Sequence, residues 1–221
     1  MTTHTADLLN NRYSARGFRP DPVPQDLLDK IFAQSLKAAS NCNTQPWHVM
    51  VVSGDMRDTV SNAMLAEVMS GKGPSPEFEW NVKYQDEHKD RQWGSAMALY
   101  GAMDIAREDK PARMQAMGRN WQFFGAPHGA FFTMEKYLGI MGAVDVGIYA
   151  QTLSLLLEEN GIQSCMQGAL GQFPGPVKKL LNIPDSRGIL FGMSFGYADD
   201  HPANKCRTDR VELSEAVQFF S

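Results

Sequence analysis

Leu27, Leu28, Ile31, Phe32, Leu36 and Ala39 recur at helical spacing and predict a helix over 26–39. His48 to Ser53 is a short apolar run rich in valine, which predicts a buried strand. A helix is expected over 55–69, and the Gly/Pro cluster at 71–76 predicts a loop. The next stretch, Trp80 to Tyr100, is polar yet carries Trp80, Tyr84, Trp93 and Tyr100. It predicts a partly exposed helix, which serves either as a lid or as a surface helix with its aromatics turned to the core. Arg107 to Gly118 continues it. Further strands are expected at 130–134, 164–168 and 188–197. The clearest helix is 144–159, closed by Asn160-Gly161 as a left-handed cap, and a short one follows at 176–181. A helix over 7–13 stops before Pro20, Pro22 and Pro24. Separated, non-alternating strands among helices predict an α+β fold. The tail from Val211 to Ser221 is expected to leave the domain.

The chain has 221 residues, 43% of them hydrophobic and 21% charged, with a net charge of −4. That composition is ordinary for a soluble globular protein. No basic block is present, which argues against nucleic acid and anionic membrane as partners. No run reaches the roughly 18 uninterrupted apolar residues of a membrane span. The N-terminus lacks a basic region followed by an apolar one, so no secretory signal is expected. Cys42, Cys165 and Cys206 are few, odd in number and widely spaced. They predict reduced thiols in a cytoplasmic protein, and the scattered histidines predict no metal site. No P-loop, dinucleotide fingerprint or hydrolase elbow occurs, so any chemistry is expected to reside in a cofactor.

Two short stretches point to that cofactor. Arg12-Tyr13-Ser14-Ala15-Arg16 places two guanidiniums and a hydroxyl within about one helical turn. Arginine supplies paired donors to phosphate and serine adds another. A solvated helix start carries the same residue types. Ser40-Asn41-Cys42-Asn43-Thr44-Gln45-Pro46-Trp47 offers uncharged amides and hydroxyls to a flat heterocycle. Phosphate at one end and a polar ring at the other describe a mononucleotide such as FMN. Trp47 is assigned to the core, as are Phe123 and Phe124, and Trp121 to a pocket.

In this order the two stretches resemble the signatures R-x-S-x-R/K and P-S-x-x-N-x-Q-P-W of the FMN-dependent nitroreductase family, with Ala39 in place of the first proline. The resemblance implies a homodimer with a central, mostly antiparallel sheet flanked by helices and an exchanged C-terminal segment. It implies one domain over 1–221, with 70–122 as a variable helical lid. Arg12 and Ser14 match phosphate ligands, and Tyr13 contributes its backbone. Arg16 matches the cation near flavin N1 and the C2 carbonyl, where reduction places negative charge. Ser40, Asn41, Asn43 and Gln45 match the strip that contacts the flavin of the other subunit. Gln167 and Gly168 match the backbone turn facing flavin N5, although the family often has proline where Cys165 stands and an acid where Gln167 stands. Asn204 to Arg210 resembles the C-terminal N-x-x-R-x-x-R stretch, which closes the phosphate site with Arg210 first and Arg207 second. The implied activity is ping-pong hydride transfer from NAD(P)H through flavin N5 to a nitroaromatic or similar electron-poor acceptor, with no side-chain acid.

Other readings remain at this stage. The same fold supports enone reductases, flavin-degrading oxygenases and reductive dehalogenases. The last would need an acid–Tyr–Lys clamp, whose residue types Glu79, Lys83, Tyr84 and Glu87 supply without a matching spacing. A flavin carrier without turnover and a cofactor-free helical domain are the remaining alternatives.

Overall fold

The computed structural model describes residues 4–79 and 82–221. Four antiparallel strands form one sheet in the order β1-β2-β4-β3, where β1 is His48–Ser53, β2 His128–Glu135, β3 Gln163–Gln167 and β4 Arg187–Gly196. Every pairing in it is antiparallel, so this is the expected α+β sheet. Central β2 is buried almost throughout because both of its faces are covered. Alternation sends Phe131 to one side and Ala130, Phe132 and Met134 to the other. On the Phe132 side lie α2 (Gln25–Ser35) and α6 (Gly139–Glu159), through Ile31, Tyr149 and Leu153. On the Phe131 side lie α3 (Gly54–Met69) and α7 (Pro174–Leu181), through Met64 and Val177. Trp47 is buried and stacks on Tyr149 at 5.0 Å, a core role as expected.

The long core helix α6 begins five residues before the periodic stretch predicted from sequence. It is long and apolar enough to cross a membrane, yet one side of it is buried on the sheet. Its other side leaves Ile140, Met141, Val144 and Ile148 exposed.

Two expectations are corrected, and one open alternative is decided. The first helix, α1 (Thr5–Asn11), stops before the Arg/Ser cluster, because Arg12 already takes an extended backbone. Strand β1 is not buried: it is the free edge of the sheet, with Val51 42% exposed and only Val52 enclosed. The segment after residue 80 forms α4 (Asp86–Ala102) and α5 (Lys110–Gly118), and neither buries a residue. Its aromatics therefore do not enter the core. Instead Arg107 lies over Trp93 at 4.6 Å and Arg113 over Tyr100 at 4.7 Å. Trp80 lies outside the described residues.

Glu77 anchors the loop that leads to these helices. Its carboxylate accepts from Lys178 Nζ at 2.6 Å, Lys136 Nζ at 2.9 Å and the Ile189 N–H at 2.9 Å. Burial pushes the Glu77 carboxyl up, but these three donors prevail and hold it below its ordinary value of 4.5. A carboxyl depressed by folding stabilises the fold above its unfolded pKa and loses that effect as pH falls through the folded one. Glu77→Gln is thus expected to cost about 1–3 kcal/mol at pH 7. The gap to wild type should shrink below pH 4.5, where urea midpoints at pH 7, 5 and 4 will register it. A gap independent of pH would contradict the assignment.

Candidate functional site

The N-terminal segment leaves α1 as a short strand-like piece beside β3. Ser14 bridges Ser164, and the Ala15 N–H donates to the Ser164 carbonyl at 3.1 Å. In an extended chain alternate residues share a face. Ala15 is therefore fully buried, while Arg12, Ser14 and Arg16 share the opposite side and open onto one cleft. The spacing R-x-S-x-R works here as a period of two, not as a helical turn.

A second segment is stitched onto the first. Asn204 is buried in a 3-10 turn over Pro202–Lys205. Its Oδ1 accepts the Arg16 N–H at 2.7 Å, and its Nδ2 donates to the carbonyls of Gly17 at 2.9 Å and Asp199 at 3.0 Å. Residue 17 must be glycine for this approach, since a Cβ there would run into Asp199 Oδ1 and His201 Cβ. The stitch carries Cys206 to Arg210 across the mouth of the cleft.

The cleft holds about 380 Å³, with Arg12, Ser14, Arg16, Ser95, Arg207 and Arg210 on its wall. No carboxylate lines it, and among the described residues none lies within 4 Å of its four guanidiniums. Arg207 is held in place: Nη1 donates to the carbonyls of Asn204 at 2.8 Å and Cys206 at 2.9 Å, and the guanidinium covers the Tyr13 ring at 4.0 Å. Among the described residues Arg210 meets only neighbouring groups: the carbonyls of Thr208 and Asp209, both at 3.0 Å, and the Thr208 hydroxyl at 3.3 Å. Arg16 Nη1 donates to the Ser14 carbonyl at 3.2 Å. Burial pushes the Tyr13 phenol up, against the pull of Arg207, so the ring is a neutral platform. Burial likewise pushes the Glu158 carboxyl up while Arg12 and Arg207 pull it down. A phosphate monoester meets the requirement of this donor-rich, acid-free wall.

The other expected residues are distributed unevenly. Gln167 is buried and its side chain is spent internally: Nε2 donates to the Asn120 carbonyl at 3.0 Å, and Oε1 accepts from the Ser194 hydroxyl. Only its backbone remains for a ligand, next to the exposed Gly168. Ser40, Asn41, Asn43 and Gln45 do not line the cleft. They precede β1, at the sheet edge opposite β3. The Asn41 N–H donates to the buried Asp145 carboxylate at 3.1 Å, and Ser40 Oγ accepts the Gln45 N–H at 3.0 Å. Cys42, Asn43 and Gln45 all have positive φ, so the strip follows a fixed, irregular path. Trp121 is not a pocket residue: it is buried, with Nε1 donating to the Ala169 carbonyl at 3.1 Å, beside the equally buried Phe123 and Phe124.

Sequence reasoning missed the Tyr13 ring, Ser95 and Leu99 of α4, and the structural role of Asn204. The spacing of Ser95 and Leu99, four apart on a polar helix, was a usable signal. The Asn204 contacts span 187 and 188 positions of sequence, and nothing local foretells them.

The chain is similar to known proteins along nearly all its length. The sequence profile of the nitroreductase family matches residues 9–197. Nitroreductase NfnB of Mycolicibacterium smegmatis is 36% identical over 96% of this chain and 91% of its own length. The 4-nitrobenzoate reductase of Pseudomonas putida is 32% identical over 95% and 92%. Among solved structures, the FMN and NADPH-dependent nitroreductase NfnB from Sphigopyxis sp. strain HMH superposes with a TM-score of 0.95 at 31% identity, covering 99% of this chain and 100% of that one. The FMN-dependent NfnB from Mycobacterium smegmatis, solved in complex with NADPH, gives 0.94 at 35% identity, covering 98% of each. A shared fold and similarity of this extent lead to one assignment: the chain belongs to the nitroreductase family.

Proposed function

We propose that the protein is an FMN-dependent NAD(P)H nitroreductase that acts as a homodimer on nitroaromatic or similarly electron-poor compounds. The observation that carries the proposal is the carboxylate-free cleft in which four guanidiniums and Ser14 face one space. Arg12, Ser14, Arg207 and Arg210 hold the phosphate of FMN there. Arg16, fixed through its backbone by Asn204, brings a cation to the pyrimidine edge of the ring. Bound FMN supplies a centre that takes hydride from NAD(P)H and passes it to the acceptor. The chain supplies position and field: an oriented cation stabilises negative charge without reorganising as that charge develops. The backbone of Gln167 and Gly168 faces flavin N5 in this reading.

The strip from Ser40 to Gln45 serves the partner's flavin in this reading, since one chain keeps it at the far edge from its own cleft. Three further features support a dimer. Strand β1 is an open edge, which favours pairing or covering. The outer side of α6 is apolar. The tail ends in Phe219 and Phe220, 84% and 89% exposed, consistent with a segment that docks on a second copy. Residues 70–122 form the lid of the same domain. The reduced state of Cys42, Cys165 and Cys206 fits a cytoplasmic location. Glu79, Lys83, Tyr84 and Glu87 do not line the cleft, so no dehalogenase clamp is adopted.

The test is NADPH oxidation by the purified protein under argon, with and without 4-nitrobenzoate, alongside size-exclusion chromatography. Oxidation that depends on the nitro compound, from a species of dimer mass, is the expected result. A monomer without such turnover would contradict the proposal.

A further inference from the structure

The segment that crosses the cleft hangs on one turn. His201 precedes the 3-10 turn over Pro202–Lys205, and its Nδ1 accepts the Ala203 N–H at 3.1 Å, so the imidazole caps that turn. From within the turn Asn204 clamps the Arg16 N–H and the Gly17 carbonyl, and the chain then runs on to Arg207 and Arg210 at the cleft. The placement of Arg16, Arg207 and Arg210 thus depends on a turn that a histidine closes.

The surroundings of the ring favour its neutral form. Arg119 Nη1 lies 2.6 Å from His201 Nε2, and Arg119 Nη2 donates to the Phe124 carbonyl at 3.3 Å. Asp199 is engaged by other groups: its Oδ1 accepts the His201 backbone N–H at 2.9 Å and Asn204 Nδ2 at 3.2 Å. Burial, the largest influence, and Arg119 push the His201 pKa down, against the pull of Asp199 and Asp200, and the net is a histidine below its ordinary 6.5. Helix α4 packs on the same turn, and among the described residues none of its charged groups acts on the ring. A neutral imidazole accepts at one nitrogen and so meets one of the two approaching donors. A protonated one meets neither and sets a second cation against Arg119. A histidine whose pKa folding depresses stabilises the fold above its unfolded pKa and loses that effect as pH falls through the folded one.

We infer that neutral His201 is a positioning residue for the cofactor: it closes the turn that holds Arg16, Arg207 and Arg210 in place, and its protonation on mild acidification opens that turn and loosens FMN. The inference rests on the FMN reading above and adds a regulation to that site.

Fluorescence titration of the full chain with FMN at pH 7 and pH 5 tests this, in wild type and in His201→Asn. Asparagine is a good N-cap and does not titrate. The FMN phosphate gains a proton at about pH 6, which weakens binding to both proteins alike. Between the two pH values, wild type is expected to lose about fivefold more affinity than His201→Asn, the worth of one N-cap. Hydrogen exchange of peptides spanning 199–210, corrected for the intrinsic rate at each pH, serves if His201→Asn fails to fold: wild-type protection there should fall at pH 5 relative to that of β2. Equal pH dependence of FMN binding in the two proteins, or protection of 199–210 that follows β2 at both pH values, would overturn the inference. Loss of protection at 199–210 on acidification in a protein that takes up no FMN would uphold the closure by His201 and sink the flavin reading. FMN binding with the same pH dependence in both proteins would do the reverse.

Discussion

Replacing both Arg12 and Arg207 by alanine is expected to weaken FMN binding by a hundred- to ten-thousandfold. Each guanidinium contributes a charge-assisted hydrogen bond to phosphate, about 1.5–3 kcal/mol apiece, and about 1.4 kcal/mol is a factor of ten. The two lie on the same wall, which no acid lines, and Glu158 behind it is not within ion-pair distance of either. The cleft is open to solvent, which favours the lower part of the range. Salt provides an independent check: raising ionic strength should loosen FMN from the wild type much more than from the double variant. Fluorescence titration of free FMN measures both effects. The pair is chosen over Arg210 because Arg207 is already immobilised by two carbonyls and the Tyr13 ring, so it loses little freedom on binding. A double variant that holds FMN within tenfold of wild type would place the phosphate elsewhere.

Phe132→Ala is expected to destabilise the fold by about 3–5 kcal/mol. Phe132 sits on β2 at the middle of the sheet and is fully buried. It stacks on Phe191 at 4.8 Å and meets Tyr149 edge-on at 6.2 Å, which ties two strands to α6. Its removal leaves a void that rigid neighbours on both elements cannot fill. For a chain of this size the melting temperature should fall by roughly 6–20 °C. Differential scanning calorimetry with saturating FMN keeps the ligand contribution constant between the proteins. A loss under 1 kcal/mol would mean that the two sides of the sheet are less closely coupled than their packing indicates.

Much of this architecture was legible in the chain. The periodicity of α6 and the short apolar runs of β2 and β4 report burial directly, because a strand covered on both faces has few polar positions. The misreadings have physical causes. β1 has the composition of a buried strand, yet among the described residues it lies at a sheet edge with only Val52 enclosed, and composition does not tell an edge from a centre. Trp93 and Tyr100 look like core residues, but arginines stack on them at the surface. Arg12, Ser14 and Arg16 were identified by residue type and order, while their arrangement was misjudged. A period of two fits a strand, and the bridge from Ser14 to Ser164 that makes one is a contact across 150 positions. Asn204 was out of reach for the same reason: an asparagine carries no mark of the backbone it clamps.

The most direct test of the central claim is an anaerobic absorption spectrum of the purified protein with FMN, taken before and after NADPH and again after 4-nitrobenzoate. The account predicts flavin bands that bleach on addition of NADPH and return with the nitro compound. A protein that shows no bound flavin after incubation with FMN, or a bound flavin that NADPH leaves oxidised, would contradict it.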